Sequence, residues 1–151
     1  MVFILAMEGL HVAMVRAQMH GGFSGVHILG IDEQISHLFY ADDAILLCLW
    51  EVENARQILR ILRCFFLASG LKINLFKSKL YGVGVKEEVI QATASMIGCI
   101  SDSMPFTHLG VSVGQRVSRV SAWSRLRSDL KCAFIGVEGE DSFYWRPVDF
   151  D

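Results

Sequence analysis

Residues 35–49 read Ile35-Ser36-His37-Leu38-Phe39-Tyr40-Ala41-Asp42-Asp43-Ala44-Ile45-Leu46-Leu47-Cys48-Leu49. The first part is rich in β-branched and aromatic residues, and the last part is almost wholly apolar. Between them sits Ala41-Asp42-Asp43. Aspartate is depleted in strands and favoured in turns. Two apolar runs flanking a short Asp-bearing connector therefore predict a β-hairpin buried on its faces.

Helical periodicity flanks the hairpin. Upstream, Phe3, Met7, Leu10, Met14 and Ala17 recur at spacings of three and four, which predicts a helix over 3–19 ended by Gly21-Gly22. A weak strand is expected in 23–31. Downstream, Ala55, Ile58, Leu59, Leu62, Phe65 and Phe66 share one face of a helix over 51–68, opposite Arg56, Arg60 and Arg63. Ser69-Gly70 stops it.

Short strands are expected at 71–75 and 79–83, joined by a turn at Lys77-Ser78-Lys79. A helix over 86–97 opens with Glu87 and Glu88, as the helix dipole prefers. After Pro105, residues 106–109 and 111–113 form a second hairpin-like element around Gly110. A last helix is expected over 117–134, with Val120, Trp123, Leu126 and Leu130 inward. Residues 136–151 give no clear reading. The order specifies an α+β chain.

Composition supports a packed domain. The 151 residues are 52% hydrophobic and 20% charged, with 2 prolines and 13 glycines. These values exclude disordered, collagen-like and Pro-rich classes. No apolar run approaches the ~20 residues that span a bilayer. The N-terminal run lacks a basic leader and ends at Glu8, so it is a poor signal peptide. The expected setting is intracellular, nuclear or cytoplasmic, without secretion or a membrane partner.

The net charge of −2 is unevenly laid out: residues 1–55 carry −6, residues 56–131 carry +8 and residues 132–151 carry −4. A basic section beside an acidic one suits a polyanion held near a carboxylate site, although solvated helix faces give the same pattern. Cys48, Cys64, Cys99 and Cys132 form no C-x-x-C, so four buried, reduced thiols are expected. The five histidines are scattered, and none is assigned to a metal.

Chemistry concentrates at Asp42-Asp43. Adjacent carboxylates against an apolar wall repel, and a divalent cation relieves the repulsion. Mg²⁺ takes carboxylate oxygens while keeping water and phosphate oxygens. Two such ions ~3.5–4 Å apart clamp the attacking and leaving oxygens of phosphoryl transfer. The plain alternative is an Asp pair that only caps its turn.

The flanking residues sharpen this choice. Residues 39–43 form a Y-x-D-D box. Residues 36–43 (SHLFYADD), 64–74 (CFFLASGLKIN), Lys77-Ser78, 80–85 (LYGVGV) and 106–114 (FTHLGVSVG) resemble the reverse transcriptase of plant non-LTR, LINE-type retrotransposons. Residues 3–11 (FILAMEGLH) are similar to the helix after that family's substrate-binding box. The resemblance spans roughly residues 3–131, in order.

It implies a partial polymerase palm over 1–115, the start of a thumb-like helix over 116–135 and a divergent tail over 136–151. Asp42 and Asp43 become two catalytic carboxylates binding Mg²⁺ or Mn²⁺, with Tyr40 beside the primer end and Ala41 leaving room for substrate. Lys72, Lys77 and Lys79 are candidates for the lysine that assists proton transfer on the pyrophosphate side. Phe106, Leu109 and Gly110 fall in a primer-grip-like hairpin. Arg116, Arg119, Arg125, Arg127 and Lys131 would meet backbone phosphates. The implied partners are an RNA template, a DNA primer and dNTPs.

Against the family pattern, the first catalytic aspartate, the fingers and most of the thumb are missing. Only Glu8, Asp32 and Glu33 are nearby acids. Residues 136–151 resemble a Gly-Asp…Phe-Trp segment near the C-terminus of plant elements. The expectation is a nucleotidyltransferase fragment, inactive as this chain, with Mg²⁺ or Mn²⁺ binding weak or absent and with bare palm surface able to aggregate or bind. The alternatives are a non-catalytic nucleic-acid binder using the basic section and a small α+β interaction module.

Overall fold

A computed structural model describes residues 2–27, 32–108, 110–114, 132–137 and 143–145. Helix α1 (Val2–Met19) is followed by β1 (Val26–His27), β2 (Gln34–Ile35), β3 (His37–Tyr40) and β4 (Asp43–Leu49). Helix α2 (Val52–Ser69), β5 (Leu71–Ile73), a 3-10 turn (Leu75–Lys77), β6 (Lys79–Val83) and α3 (Glu87–Ile97) come next. The remaining strands are β7 (Ile100–Ser101), β8 (Phe106–His108), β9 (Val111–Val113), β10 (Cys132–Val137) and β11 (Phe143–Trp145). The architecture is mixed α+β, as the sequence predicts.

The sequence accounts for the helix limits. Both α2 and α3 end at glycines in the left-handed conformation, Gly70 at φ 75° and Gly98 at φ 87°. Their N–H groups donate to Phe66 O and Ala94 O, satisfying carbonyls that the last turn leaves open. Met7, Leu10 and Met14 of α1 and Ala55, Ile58, Leu62 and Phe65 of α2 are buried, the face that periodicity selects. Phe3, Ala17 and Leu59 pack partly against the same core.

The main sheet has five strands in the order β3-β4-β10-β6-β7. Strands β3 and β4 form an antiparallel hairpin, and β10 runs antiparallel to both β4 and β6. Strands β4 and β6 are therefore parallel with one strand between them, and α2 lies on the crossover. Strands β6 and β7 are parallel and joined through α3. Ala44, Leu46 and Cys48 of β4, Leu80 of β6 and Ala133 and Ile135 of β10 share one core with all three helices. Burying each large aliphatic side chain there contributes about 2 kcal/mol. Ile45, Leu47 and Tyr81 face the other way, into a second cluster with Val26 and Phe106.

Several expectations change. Strand β10 overturns the C-terminal end of the helix expected over 117–134: Cys132, Ala133 and Phe134 are central sheet residues. Residues 117–131 of that helix lie outside the described residues. The thumb-like segment over 116–135 thus ends inside the sheet, and β10 runs across its expected boundary with the tail. The tail also supplies β11, antiparallel to β5. Strands β5 and β6 pair with different partners rather than with each other. Burial on both faces holds for β4 alone, since β3 is an edge strand with Leu38 and Tyr40 exposed. Cys48 is buried, but Cys64 is exposed on α2 and Cys99 is half-buried.

Candidate functional site around the Asp42-Asp43 turn

Tyr40 and Asp43 are register partners closing the β3–β4 hairpin, which leaves Ala41-Asp42 as a two-residue loop. Such loops need a positive φ at their first position. Ala41 supplies it at φ 50°, the sole non-glycine residue with positive φ among the described residues. A side chain in that region costs about 1 kcal/mol, because Cβ crowds the following carbonyl. The aspartates thus sit at a bend between paired antiparallel strands with helices behind the sheet.

Strand alternation fixes which way the residues face. Ala44, Leu46 and Cys48 point to the helices, so Asp43, Ile45 and Leu47 point to the opposite face. Tyr40, opposite Asp43, lies on that same face. It is 64% exposed, Asp42 is exposed and Asp43 is partly covered. The β8–β9 hairpin also covers this face. Phe106 is buried there, stacked on Tyr81 with ring centroids 4.2 Å apart. Gly110 turns the hairpin at φ 77°, and Leu109 lies outside the described residues. The sheet thus carries the carboxylate turn and the second hairpin on one side.

The lysines are dispersed. Lys79 lies level with Ile45 across β10, roughly 12 Å from Asp43 by sheet spacing. Its Nζ is 2.9 Å from Asp102 Oδ2. The Lys79 ammonium, by hydrogen bonding first, holds the Asp102 carboxyl below the usual range, and the Ser103 N–H adds to the effect. Lys72 Nζ stands 5.9 Å above the Phe66 ring. Lys77 is exposed on the 3-10 turn. Arg116, Arg119, Arg125, Arg127 and Lys131 lie outside the described residues.

Among the described residues, no group of three or more His, Cys, Asp or Glu side chains is placed to hold a metal ion. Asp42 and Asp43 could offer two carboxylates to a hard cation such as Mg²⁺, leaving most of its shell to water and phosphate. Likewise, no helix among the described residues is long and apolar enough to cross a membrane.

Sequence reasoning missed a second polar cluster. His11 Nδ1 on α1 lies 2.7 Å from His37 Nε2 on β3, and His37 Nδ1 lies 2.8 Å from Ser36 Oγ. Burial, then the neighbouring His11, lowers the His37 pKa to about 4. The only sequence signal was phase: His37 precedes Phe39 on the helix-facing side of β3, and His11 follows Leu10 on α1. Comparison of the chain with models of protein families, with curated proteins and with solved structures finds no match.

Proposed function

We propose that this chain is the downstream part of a reverse-transcriptase palm of the non-LTR retrotransposon type, and that it does not extend primers by itself. In the parent enzyme, metal ions held at this turn would supply the positive charge needed to activate a primer 3′-hydroxyl and to stabilise the pyrophosphate leaving group. Asp42 and Asp43 would supply two of the carboxylates, and Tyr40 would flank the primer terminus.

The observation that carries this reading is the Asp42-Asp43 doublet at a two-residue hairpin bend, with Tyr40 beside it on an open strand edge. Two features add support. The β8–β9 hairpin, read as a primer grip, lies on the aspartates' side of the sheet. Exposed Leu38 and Tyr40 offer apolar surface next to the turn.

The lack of activity follows from the coordination chemistry. Two-metal catalysis needs enough fixed carboxylates to hold both ions and a pocket that orients both substrates. Two aspartates on one turn bind a hydrated Mg²⁺ weakly, and Lys79 is engaged by Asp102.

Backbone NMR during Mg²⁺ titration tests the site. Shifts confined to residues 39–44, saturating in the millimolar range and absent in Asp42→Ala, are expected; flat titration curves at those amides overturn the palm reading. Primer extension on an RNA template with Mg²⁺ or Mn²⁺ tests the inactivity. No product is expected, and extension abolished by Asp42→Ala would refute it.

A further inference from the structure

The imidazoles of His11 and His37 are brought together from positions 26 apart in sequence, at the seam between α1 and the edge strand β3. We propose that this pair forms a two-imidazole site for a tetragonal divalent transition-metal ion, Cu²⁺ ahead of Ni²⁺ and Zn²⁺, with water filling the remaining positions. The proposal is independent of the Asp42-Asp43 reading and uses none of its residues.

Geometry selects the ion class. Two nitrogens bound cis at about 2.0 Å and 90° stand about 2.8 Å apart, whereas tetrahedral Zn²⁺ needs about 3.3 Å. The facing nitrogens are 2.7 Å apart, so their separation already suits cis tetragonal binding and only the ring directions change. The rings are inclined at 65° with centroids 4.9 Å apart. Because the centroids and the facing nitrogens lie almost on one line, both rings, His37 as well as the exposed His11, turn to aim their lone pairs at one point beside the N–N line. Cu²⁺ also heads the affinity order for nitrogen ligands.

The surroundings hold the pair. His37 is braced by Phe39, with ring centroids 4.7 Å apart. Its outer nitrogen meets the hydroxyl of Ser36, which is buried. A metal-binding histidine whose second N–H is taken by a fixed acceptor keeps its tautomer and orientation. Without metal, one proton lies between the facing nitrogens. On binding, the ring that holds this proton shifts it to its outer nitrogen, so that His37 carries its proton on Nδ1, toward Ser36 Oγ, and His11 carries its own on Nε2, toward solvent. Both rings remain neutral, so no net proton is released.

Cu²⁺ titration of the full chain with its exposed Cys64 thiol blocked by alkylation, at pH 7.5 and followed by calorimetry and electron paramagnetic resonance, tests the site. The expected result is one ion per chain, with a tetragonal spectrum split by two nitrogens, and tighter binding than Ni²⁺ or Zn²⁺. Removing a ligand weakens binding at least as much as removing its outer partner, roughly tenfold or more, so His11→Ala and His37→Gln should both show that loss. The His20→Ala/His27→Ala/His108→Ala triple variant should bind as the parent does. Cu²⁺ should also raise the thermal midpoint of the parent, because it links α1 to β3, and leave that of His11→Ala unmoved. Since His11 is exposed, this variant folds whatever becomes of His37. Unchanged affinity in His11→Ala, loss of binding in the triple variant, or a preference for Zn²⁺ each overturns the proposal.

Discussion

Ile135 is 2% exposed in the middle of β10, with Leu46 of β4 and Leu80 of β6 as its register partners. Both partners are also buried in the core that the three helices close. Truncation to alanine removes apolar carbons from a site where rigid strands on both sides prevent collapse. Buried Ile→Ala changes of this kind cost about 2–5 kcal/mol, and the central position in the sheet places this one near 3 kcal/mol. With a urea slope of about 2 kcal/mol per molar, the midpoint should fall by about 1.5 M. The thermal midpoint should drop by roughly 6–12 °C. Val89→Ala on the exposed side of α3 serves as control and should shift stability by less than about 0.5 kcal/mol. Equilibrium urea unfolding followed by circular dichroism reads both variants. An Ile135→Ala shift as small as that of the control would refute the placement of β10 at the sheet centre.

Other consequences are equally concrete. Ala41→Gly removes Cβ from the left-handed position while loosening the unfolded chain, so stability should rise by about 0.5 kcal/mol; Ala41→Val should lower it by at least about 1 kcal/mol, both read as urea midpoints. Ala133 is opposite Cys48 in the β4–β10 ladder. Partners there lie about 4.5–5.5 Å apart between Cα atoms, within disulfide reach. Ala133→Cys should therefore join its new thiol to Cys48 in an intrachain disulfide on mild oxidation, seen by peptide mapping, and a chain that stays reduced at Cys48 would contradict the register. The Asp102 carboxyl, held down by Lys79, contributes stability that is complete above its unfolded pKa near 3.9 and lost as pH falls through its lower folded value. Unfolding curves of the parent and Asp102→Asn should thus separate above about pH 4 and converge as the pH falls through the lower folded value. Parallel curves over that range would remove the ion pair from any role in stability.

The hairpin was legible because its cause is local. Apolar runs on either side of Ala41-Asp42-Asp43 leave the polar pair only the bend. The helices were legible for the same kind of reason: apolar residues at spacings of three and four define one face, and Gly70 and Gly98 end the turns that precede them. Strand β10 was not. Cys132-Ala133-Phe134-Ile135-Gly136-Val137 is a continuous apolar run with no period of its own, and such a run fits the end of a buried helix as well as a buried strand. Reading it as a continuation of the helix expected over 117–134 was the natural error.

The amino-acid order by itself therefore determined the α+β class, the Asp42-Asp43 turn and the buried faces of α1 and α2, because each depends on residues within one or two turns of chain. Only the tertiary structure decided that β10 separates β4 from β6, that Lys79 meets Asp102, and that His11 meets His37. Those pairings join residues from 23 to 93 positions apart. No local pattern encodes a partner at that range; the partner is set by which faces the sheet and helices must bury against each other.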